Sequence, residues 1–207
     1  MLAGTFKDLD RGLLTKLVII QSLLITISNY LAHYKFNITG FPLAYSVWCT
    51  PAFMVVTDLT TRLAGKQLAR AVLVATLIPG IIGTAIGSWL YGSGLIDGVR
   101  LTLASAVCYL IPMLLDVYVF SWIRDRISAW YVAPTVSGII TTVFMTYLFW
   151  GAAFAGGTDP FLSANWYILA TNQIIIKNVL NLVFLLPLYG MLLAYLTRKV
   201  QAQHAGV

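Results

Sequence analysis

Apolar runs long enough to cross a lipid bilayer recur along this chain, and they restrict its fold more than any other feature. A membrane-spanning helix needs about 20 consecutive apolar residues, and most of the runs approach that length. Only 10% of the 207 residues are charged, whereas an average soluble domain carries about 25%. No polar stretch between the runs is long enough for a separate soluble domain. The sequence therefore predicts an all-α integral membrane protein in which residues 1–207 form one transmembrane domain.

The apolar runs predict a bundle of six transmembrane helices. The second run is short, and the sixth is long enough that we expect it to tilt or protrude. The first run follows basic residues, as in a secretory signal, but it is too long for one and contains polar residues such as Gln21. We therefore interpret it as a retained span. The predicted spans are Leu14–Tyr34, Leu43–Thr57, Ala71–Leu90, Leu101–Ile123, Val132–Phe154 and Trp166–Leu196.

The basic residues between the spans predict the orientation of the bundle. With the N-terminus inside, ten of them fall on cytoplasmic segments, and the outer segments carry only Lys35 and Arg100. Cytoplasmic loops are enriched in Lys and Arg, so we expect both termini in the cytoplasm and a multi-pass location in the cell (inner, cytoplasmic) membrane. Orientation also explains the net charge of +6 without a nucleic-acid partner. The ten are Lys7, Arg11, Lys16, Arg62, Lys66, Arg70, Arg124, Arg126, Arg198 and Lys199.

Small residues in the third predicted span indicate close helix packing. Gly83 and Gly87 form a small-xxx-small step beside Gly80, which lets a neighbouring helix approach. We favour packing between the spans of one chain, and a homodimer interface is the alternative.

The sequence offers little for metal binding or catalysis. Cys49 and Cys108 both lie inside apolar runs and lack metal-ligand spacing. The two histidines, His33 and His204, are not near a recognisable nucleophile or acid pair. We therefore expect no metal, no cofactor and no enzymatic activity.

Lys177 is the most costly residue within a predicted span. It lies far from both ends of the sixth run, where its ammonium cannot easily reach water. Gln173, Lys177 and Asn181 are spaced by four residues, so they share one helix face. A polar face that includes an ammonium predicts a substrate site or a water-filled cavity. The alternative is a ladder of hydrogen bonds between helices.

Other polar residues are predicted at a similar depth in the outer half of the bundle. They lie on the first, second and fifth spans, and aromatic residues accompany them. Amides can bind the edges of a small planar solute, such as a base or a vitamin, while aromatic rings stack on its faces. The candidate substrate-binding residues are Asn29, Ser46, Trp48, Thr142, Thr146, Gln173, Lys177 and Asn181.

Two acidic residues are predicted nearer the cytoplasmic side. Asp58 ends the second span, and Asp116 lies in the inner half of the fourth. A buried carboxylate needs a cation or hydrogen-bond donors beside it. We therefore expect a layer that joins Asp58 and Asp116 to Arg62, with Arg70 or Arg124 as further partners. This layer is either a static anchor or a gate.

Five segments together resemble the queuosine-precursor transporter family, also called the vitamin-uptake-transporter family. They occur in the family's order along almost the whole chain. The first has an Asp at the end of the second span, followed by an Arg, a Gly and an Ala-Arg pair. The segments are "SNYLA" (Ser28–Ala32), "VVTDLTTRLAGKQLAR" (Val55–Arg70), "LLDVYVFSWIR" (Leu114–Arg124), "APT" (Ala133–Thr135) and "KNVLNLVFLLPLYGMLL" (Lys177–Leu193).

The resemblance implies a six-helix bundle similar to the substrate-binding components of energy-coupling-factor vitamin importers. It implies a small-molecule substrate, 7-cyano-7-deazaguanine or its aminomethyl relative, taken up from outside. The residues that carry over by motif are Asn29, Asp58, Arg62, Gly65, Arg70, Asp116 and Lys177. The chain has Met145 and Gln173 where relatives often carry acids. Without those acids, a neutral nitrile base or a carboxylated precursor is at least as plausible as a cationic one.

Two functions fit these observations. The first is a transporter that imports a 7-deazapurine by alternating access. The alternative is a substrate-capture subunit, similar to an energy-coupling-factor substrate component, driven by a separate ATPase module. Such subunits usually offer small residues on the first span for docking, and this span offers only Ser22 and Thr26.

Overall fold

The computed structural model describes residues 11–31, 34–37, 42–90 and 95–205, and most of them are helical. Two short strands pair antiparallel before the second helix, which follows a 3₁₀ turn at Tyr45–Trp48. A π-helix at Asn181–Leu185 joins the last two helices. The elements are α1 (Arg11–Leu31), β1 (Lys35–Asn37), β2 (Pro42–Ala44), α2 (Cys49–Ala64), α3 (Lys66–Leu90), α4 (Leu95–Arg124), α5 (Val132–Phe154), α6 (Pro160–Leu180) and α7 (Leu186–Ala205).

Within the described ranges, five helical segments are long and apolar enough to cross a membrane, which agrees with an all-α, multi-pass membrane protein. The fifth predicted span coincides with α5. The charged residue Lys7 lies outside the described residues. The five segments are Arg11–Ser28, Lys66–Leu90, Leu95–Arg124, Val132–Phe154 and Pro160–Phe184.

The second predicted span, Leu43–Thr57, differs most from the structure. Its first residues belong to β2 and the 3₁₀ turn, and α2 continues past Thr57 to Ala64. Hydropathy ends the span at Asp58 because an isolated carboxyl is polar. The helix continues because neighbouring helices bury that turn: Asp58, Leu59 and Thr60 are all buried. At 16 residues, α2 is shorter than the five spanning segments.

The sixth predicted span, Trp166–Leu196, corresponds to three consecutive helical elements. Helix α6 begins earlier than hydropathy suggests because Asp159 caps it. The Asp159 carboxylate accepts hydrogen bonds from the backbone N–H groups of Phe161 and Leu162 at 2.9 and 3.0 Å. Pro160 occupies the first turn, where no N–H donor is needed.

Helix α2 lies in the centre of the bundle. It contacts α1, α3, α4, α5 and α7, and two clusters of buried side chains form along it. The outer faces of the surrounding helices expose large apolar side chains such as Ile78, Ile82 and Leu103, as expected of surfaces that face lipid. One cluster is built around Phe53 and Met54, and the other around Leu59 and Phe120.

Two glycines allow close turns and contacts. Gly65 ends α2 with φ 90° and ψ 156°, a conformation that residues with a Cβ rarely adopt, so α3 can start immediately. Gly80 on α3 lies against Ile25 of α1, whose side chain would be 3.4 Å from an added Cβ. Gly80 therefore serves packing between α3 and α1 within the chain.

One end of the bundle is held by polar contacts between α4 and the end of α5. The Arg100 guanidinium donates to the carbonyl of Ala152 at 2.8 Å and to that of Ala155. Nearby, the Thr158 hydroxyl donates to Asp97 at 2.8 Å. Arg100 thus satisfies carbonyl groups that the last turn of α5 leaves without helical partners.

Candidate functional site

A cavity of about 680 Å³ lies among helices α1 to α6, next to β2 and the 3₁₀ turn. Its volume is in the range of sites that hold small molecules, roughly 300–1,000 Å³. Aromatic and aliphatic side chains form most of its wall, including Phe53, Phe149 and Trp150. The polar atoms among them come from a few side chains, and these decide what the cavity can bind.

Lys177 projects from α6 at the wall of this large cavity and is only 8% exposed. Its Nζ donates to the Thr146 hydroxyl of α5 at 3.3 Å. Among the residues that the structure describes, no carboxylate forms an ion pair with it. An ammonium has three donors, so the Thr146 contact leaves donors for a ligand oxygen or ring nitrogen.

Gln173 lies one turn before Lys177 on the same wall. Its Oε1 accepts a hydrogen bond from the Trp150 indole at 3.0 Å. This contact uses the carbonyl side of the amide, so the NH₂ group remains able to donate. The pair also fixes the Trp150 ring, which lines the cavity, in one orientation.

The polar face of α6 forms both a hydrogen-bond ladder and a cavity wall. Below Lys177, the Asn181 amide donates to the Thr142 hydroxyl at 3.3 Å. Thr142 is fully buried, and its hydroxyl also lies 3.9 Å from the sulfur of Met54. Hydrogen bonds to α5 therefore occur at all three levels, Gln173, Lys177 and Asn181, and only Lys177 and Gln173 also line the large cavity.

The remaining predicted substrate-binding residues are distributed unevenly. Ser46 lines the large cavity together with Thr146. Thr142 and Asn181 do not line it. Trp48 is 46% exposed and makes an edge-to-face contact with Phe184, so it also lies away from the cavity. The side chain of Asn29 lies outside the described part of the chain.

Sequence reasoning missed Tyr109 and gave no role to Gln21. Tyr109 lines the cavity and packs edge-to-face on Phe53, with ring centroids 6.3 Å apart. Gln21, fully buried on α1, is its polar neighbour. The Gln21 amide could have been found by the cost of a polar group inside an apolar run. Tyr109 carries no such signal, because a tyrosine in a span usually packs as an apolar residue.

Asp58 of α2 and Asp116 of α4 meet in the core of the bundle. Their side chains are 3% and 0% exposed, and their carboxyl groups interact with each other. The Thr141 hydroxyl donates to Asp116 at 3.1 Å. The predicted layer is therefore present as a pair of acids.

The arginines predicted for that layer lie apart from the carboxyls. Arg62 donates to the backbone carbonyl of Trp130 at 3.4 Å, and Arg70 and Arg124 are exposed. No guanidinium of the described ranges forms an ion pair with either acid. The difference arises because the exposed ends of these side chains can be hydrated, whereas the carboxyls are enclosed by packed helices.

Known proteins similar to this chain are membrane transporters. A family model described as "Putative vitamin uptake transporter" matches residues 44–192. The "Queuosine precursor transporter" of Escherichia coli is 32% identical over 189 residues, which cover 86% of this chain and 85% of the relative. The "Probable queuosine precursor transporter" of Haemophilus influenzae is 29% identical over 201 residues, with the same coverage of 86% and 85%. No solved structure matches the chain.

Proposed function

The chain belongs to the vitamin uptake transporter family, and we propose that it imports a queuosine precursor, 7-cyano-7-deazaguanine or a related 7-deazapurine, into the cytoplasm. The names of its relatives support this substrate class. The structural observation that carries the proposal is Lys177, a buried ammonium on the wall of a large cavity with no carboxylate partner among the described residues. The family consists of transporters, so the chain is not an enzyme.

The walls of the large cavity suit a planar polar ring. Aromatic side chains such as Phe149 and Trp150 offer stacking surfaces, and Lys177 and Gln173 offer donors to a ring edge. A 7-deazaguanine presents its carbonyl oxygen as an acceptor for such donors, and the nitrile nitrogen of 7-cyano-7-deazaguanine is a second acceptor on the same side of the ring. Burial of the ring and pairing of its polar edge together supply affinity and selectivity.

The charge of the cavity disfavours a cationic ligand. Its described lining contains one ammonium, that of Lys177, and no carboxylate. A cationic aminomethyl group would face that ammonium without a compensating charge, and like charges in a poorly solvated site repel strongly. We therefore expect the nitrile precursor to bind more tightly than the aminomethyl precursor.

The proposed transporter crosses the cytoplasmic membrane six times as one domain. In this arrangement the short central helix α2 is one of the crossings, and both termini are in the cytoplasm. The asymmetry of basic residues between the two sides supports this orientation. Lys177 and Gln173 then lie in the outer half of the bundle, where a ligand can enter before the bundle opens inward.

A binding panel on purified protein tests the substrate. The panel contains 7-cyano-7-deazaguanine, its aminomethyl relative, guanine, riboflavin and biotin, and the readout is the shift in melting temperature. A ligand that binds only the folded state must raise apparent stability. We expect the nitrile to give the largest shift and the vitamins to give none. A larger shift with a vitamin than with either deazapurine would reassign the substrate.

Uptake is tested in cells that cannot synthesise the precursor. Cells that express the chain should make queuosine-containing tRNA when the nitrile precursor is supplied at low concentration, and cells with the empty vector should not. Equal tRNA modification in both would contradict the transport function.

A further inference from the structure

A second, much smaller cavity lies beside Asp58. Its volume of about 30 Å³ is close to that of one water molecule. Residues of α2, α5, the π-helix and α7 surround it, including Asp58, Thr135, Asn181 and Tyr189. The cavity therefore lies where four elements meet, and Asn181 lines it whereas Lys177 does not.

Unsatisfied polar atoms converge on this small cavity. Asp58 Oδ1, the Thr135 hydroxyl and the Tyr189 hydroxyl are all buried. None of them makes a hydrogen bond of normal geometry to the residues that the structure describes. Asp58 is 3% exposed and Tyr189 is 1% exposed. Buried polar groups without partners are costly, so this arrangement indicates a small polar species as a fourth component.

The carboxyl of Asp116, beside that of Asp58, indicates that this site binds a proton. Asp116 lies next to Asp58, and both are enclosed in the core. Two ionised carboxylates in one poorly solvated site repel each other strongly, and a proton held by one of them removes that repulsion. The hydroxyl groups of Thr141 and Ser137 can stabilise the remaining negative charge.

The other charged groups around the pair are few. Helix α2 contributes Arg62 and helix α4 contributes Arg124, and both lie within electrostatic range of the Tyr189 hydroxyl of α7. Asp58 is within electrostatic range of the same hydroxyl. Helix α5 and the π-helix present only uncharged groups there, including Thr135 and Asn181.

We propose that Asp58 and Asp116 form a proton-binding site that couples import to the proton gradient across the membrane. This proposal rests on the proposed function. A hydronium ion on the outer side gives its proton to one ionised carboxylate when substrate binds: an O–H bond of the hydronium ion breaks, an O–H bond to the carboxyl forms, and water is left outside. When the bundle opens inward, the carboxyl O–H bond breaks and a cytoplasmic water molecule accepts the proton as a hydronium ion. One proton thus enters with each substrate, and the carboxylate is regenerated.

The two sites are physically connected through the polar face of α6 and the π-helix. Lys177 lines the large cavity, and Asn181, one turn later, lines the small one. Asn181 also holds Thr142 of α5. A shift of this helical segment on substrate binding therefore changes the surroundings of Asp58, which is the requirement for coupling two sites.

Two assays in proteoliposomes separate coupling from transport. Exchange of labelled against unlabelled 7-cyano-7-deazaguanine at equal pH needs only a working transporter. Accumulation against a concentration gradient, with the outer solution more acidic, needs coupling, and each pH unit supports up to about tenfold accumulation. We expect the parent protein to perform both without ATP. Absence of exchange in the parent would refute the proposed function itself.

The acid variants test the site. Asp58→Asn and Asp116→Asn should still exchange substrate but should lose accumulation, because an amide cannot take up and release the proton. Asp125→Asn, at an exposed position after α4, is the matched control and should retain both. Accumulation by Asp116→Asn equal to that of the parent would overturn the proposal. If the parent exchanges substrate but never accumulates it in response to a pH gradient, or accumulates it in response to a sodium gradient instead, the proposal is overturned as well.

A measurement on the parent alone covers the case in which the variants do not fold. Substrate added outside, with no imposed gradient, should carry protons inward and make the weakly buffered outer solution more alkaline. A pH-indicator dye reports this change. Substrate influx with no alkalinisation would contradict proton coupling.

Discussion

At Lys177, an ammonium held by one threonine hydroxyl keeps donors free at the edge of a cavity. Loss of a donor from a desolvated contact costs about 1–3 kcal/mol. We expect Lys177→Met to weaken binding of the nitrile precursor roughly ten- to a hundredfold, as measured by isothermal titration calorimetry. Lys66→Met, at the exposed start of α3, is the control and should bind as the parent does. Normal affinity combined with low expression of Lys177→Met would show that Lys177 is a packing residue.

Gln173 offers a test of ligand charge. Gln173→Asp would place a carboxylate near the Trp150 indole, which could still donate to it. The new negative charge should improve binding of the cationic aminomethyl precursor relative to the neutral nitrile, by about tenfold for an interaction near 1.4 kcal/mol. The ratio of the two dissociation constants measures this. An unchanged ratio would place Gln173 outside the reach of the ligand.

Among single residues, the sequence alone identified those that are costly to bury in a membrane. Lys177 and Gln173 stand out because a charge or amide within a span must face protein or a cavity. Trp48 was predicted from depth alone, and depth does not determine which side of a helix faces inward. Tyr109 gave no signal because its ring and its hydroxyl are both compatible with ordinary packing.

Among the elements, the end of α5 depends on a side chain from α4. Arg100 donates to the carbonyls of Ala152 and Ala155. We expect Arg100→Met to lower the free energy of unfolding by about 1–2 kcal/mol, because charged hydrogen bonds to helix-end carbonyls are lost. Arg198→Met, exposed on α7, should have little effect. Denaturant titration in detergent measures both, and equal stability of the two variants would contradict the assigned role.

Hydropathy predicts the bounds of a helix where the length of its apolar run alone determines them. Helix α5 is such a case, since the predicted and observed bounds agree. Hydropathy failed at β2, whose pairing with β1 is a contact between separated residues. Hydropathy also ended the second span at Thr57, because it gives Asp58 the same polar value whether the side chain is buried or exposed.

For the whole molecule, the orientation in the membrane is the property most open to test. Asp159→Cys, in a background with Cys49→Ala and Cys108→Ala, should react with an impermeant thiol reagent in intact cells. Asp125→Cys should react only after permeabilisation. Loss of the Asp159 cap costs about 1 kcal/mol, which a bundle of this size should tolerate. Reaction of both cysteines only after permeabilisation would contradict the six-span arrangement.

The overall class of the molecule follows from composition, but the cavity does not. Apolar content and the positions of basic residues can be read from the sequence, so they are known before the helices are packed. The large cavity is the space left between helices α1 to α6. Its size depends on how bulky side chains such as Phe149 and Phe154 are oriented by contacts between helices.

The π-helix between α6 and α7 contains about one residue more than a regular α-helix would, so a one-residue deletion should be tolerated there. Lys177 and Tyr189 are twelve positions apart, which in a continuous α-helix would turn them about 120° away from each other. A π turn accommodates about one extra residue, so the two side chains lie within roughly 20° of one face. Deletion of Val183, inside the π-helix, should therefore leave a regular α-helix with both faces preserved. Deletion of Ile175, inside α6, should rotate everything before it by about 100° relative to Lys177. We expect monodisperse, ligand-binding protein from the first deletion and neither property from the second. Length variation should therefore be tolerated in the π-helix and rejected within α6, about half a turn before Lys177.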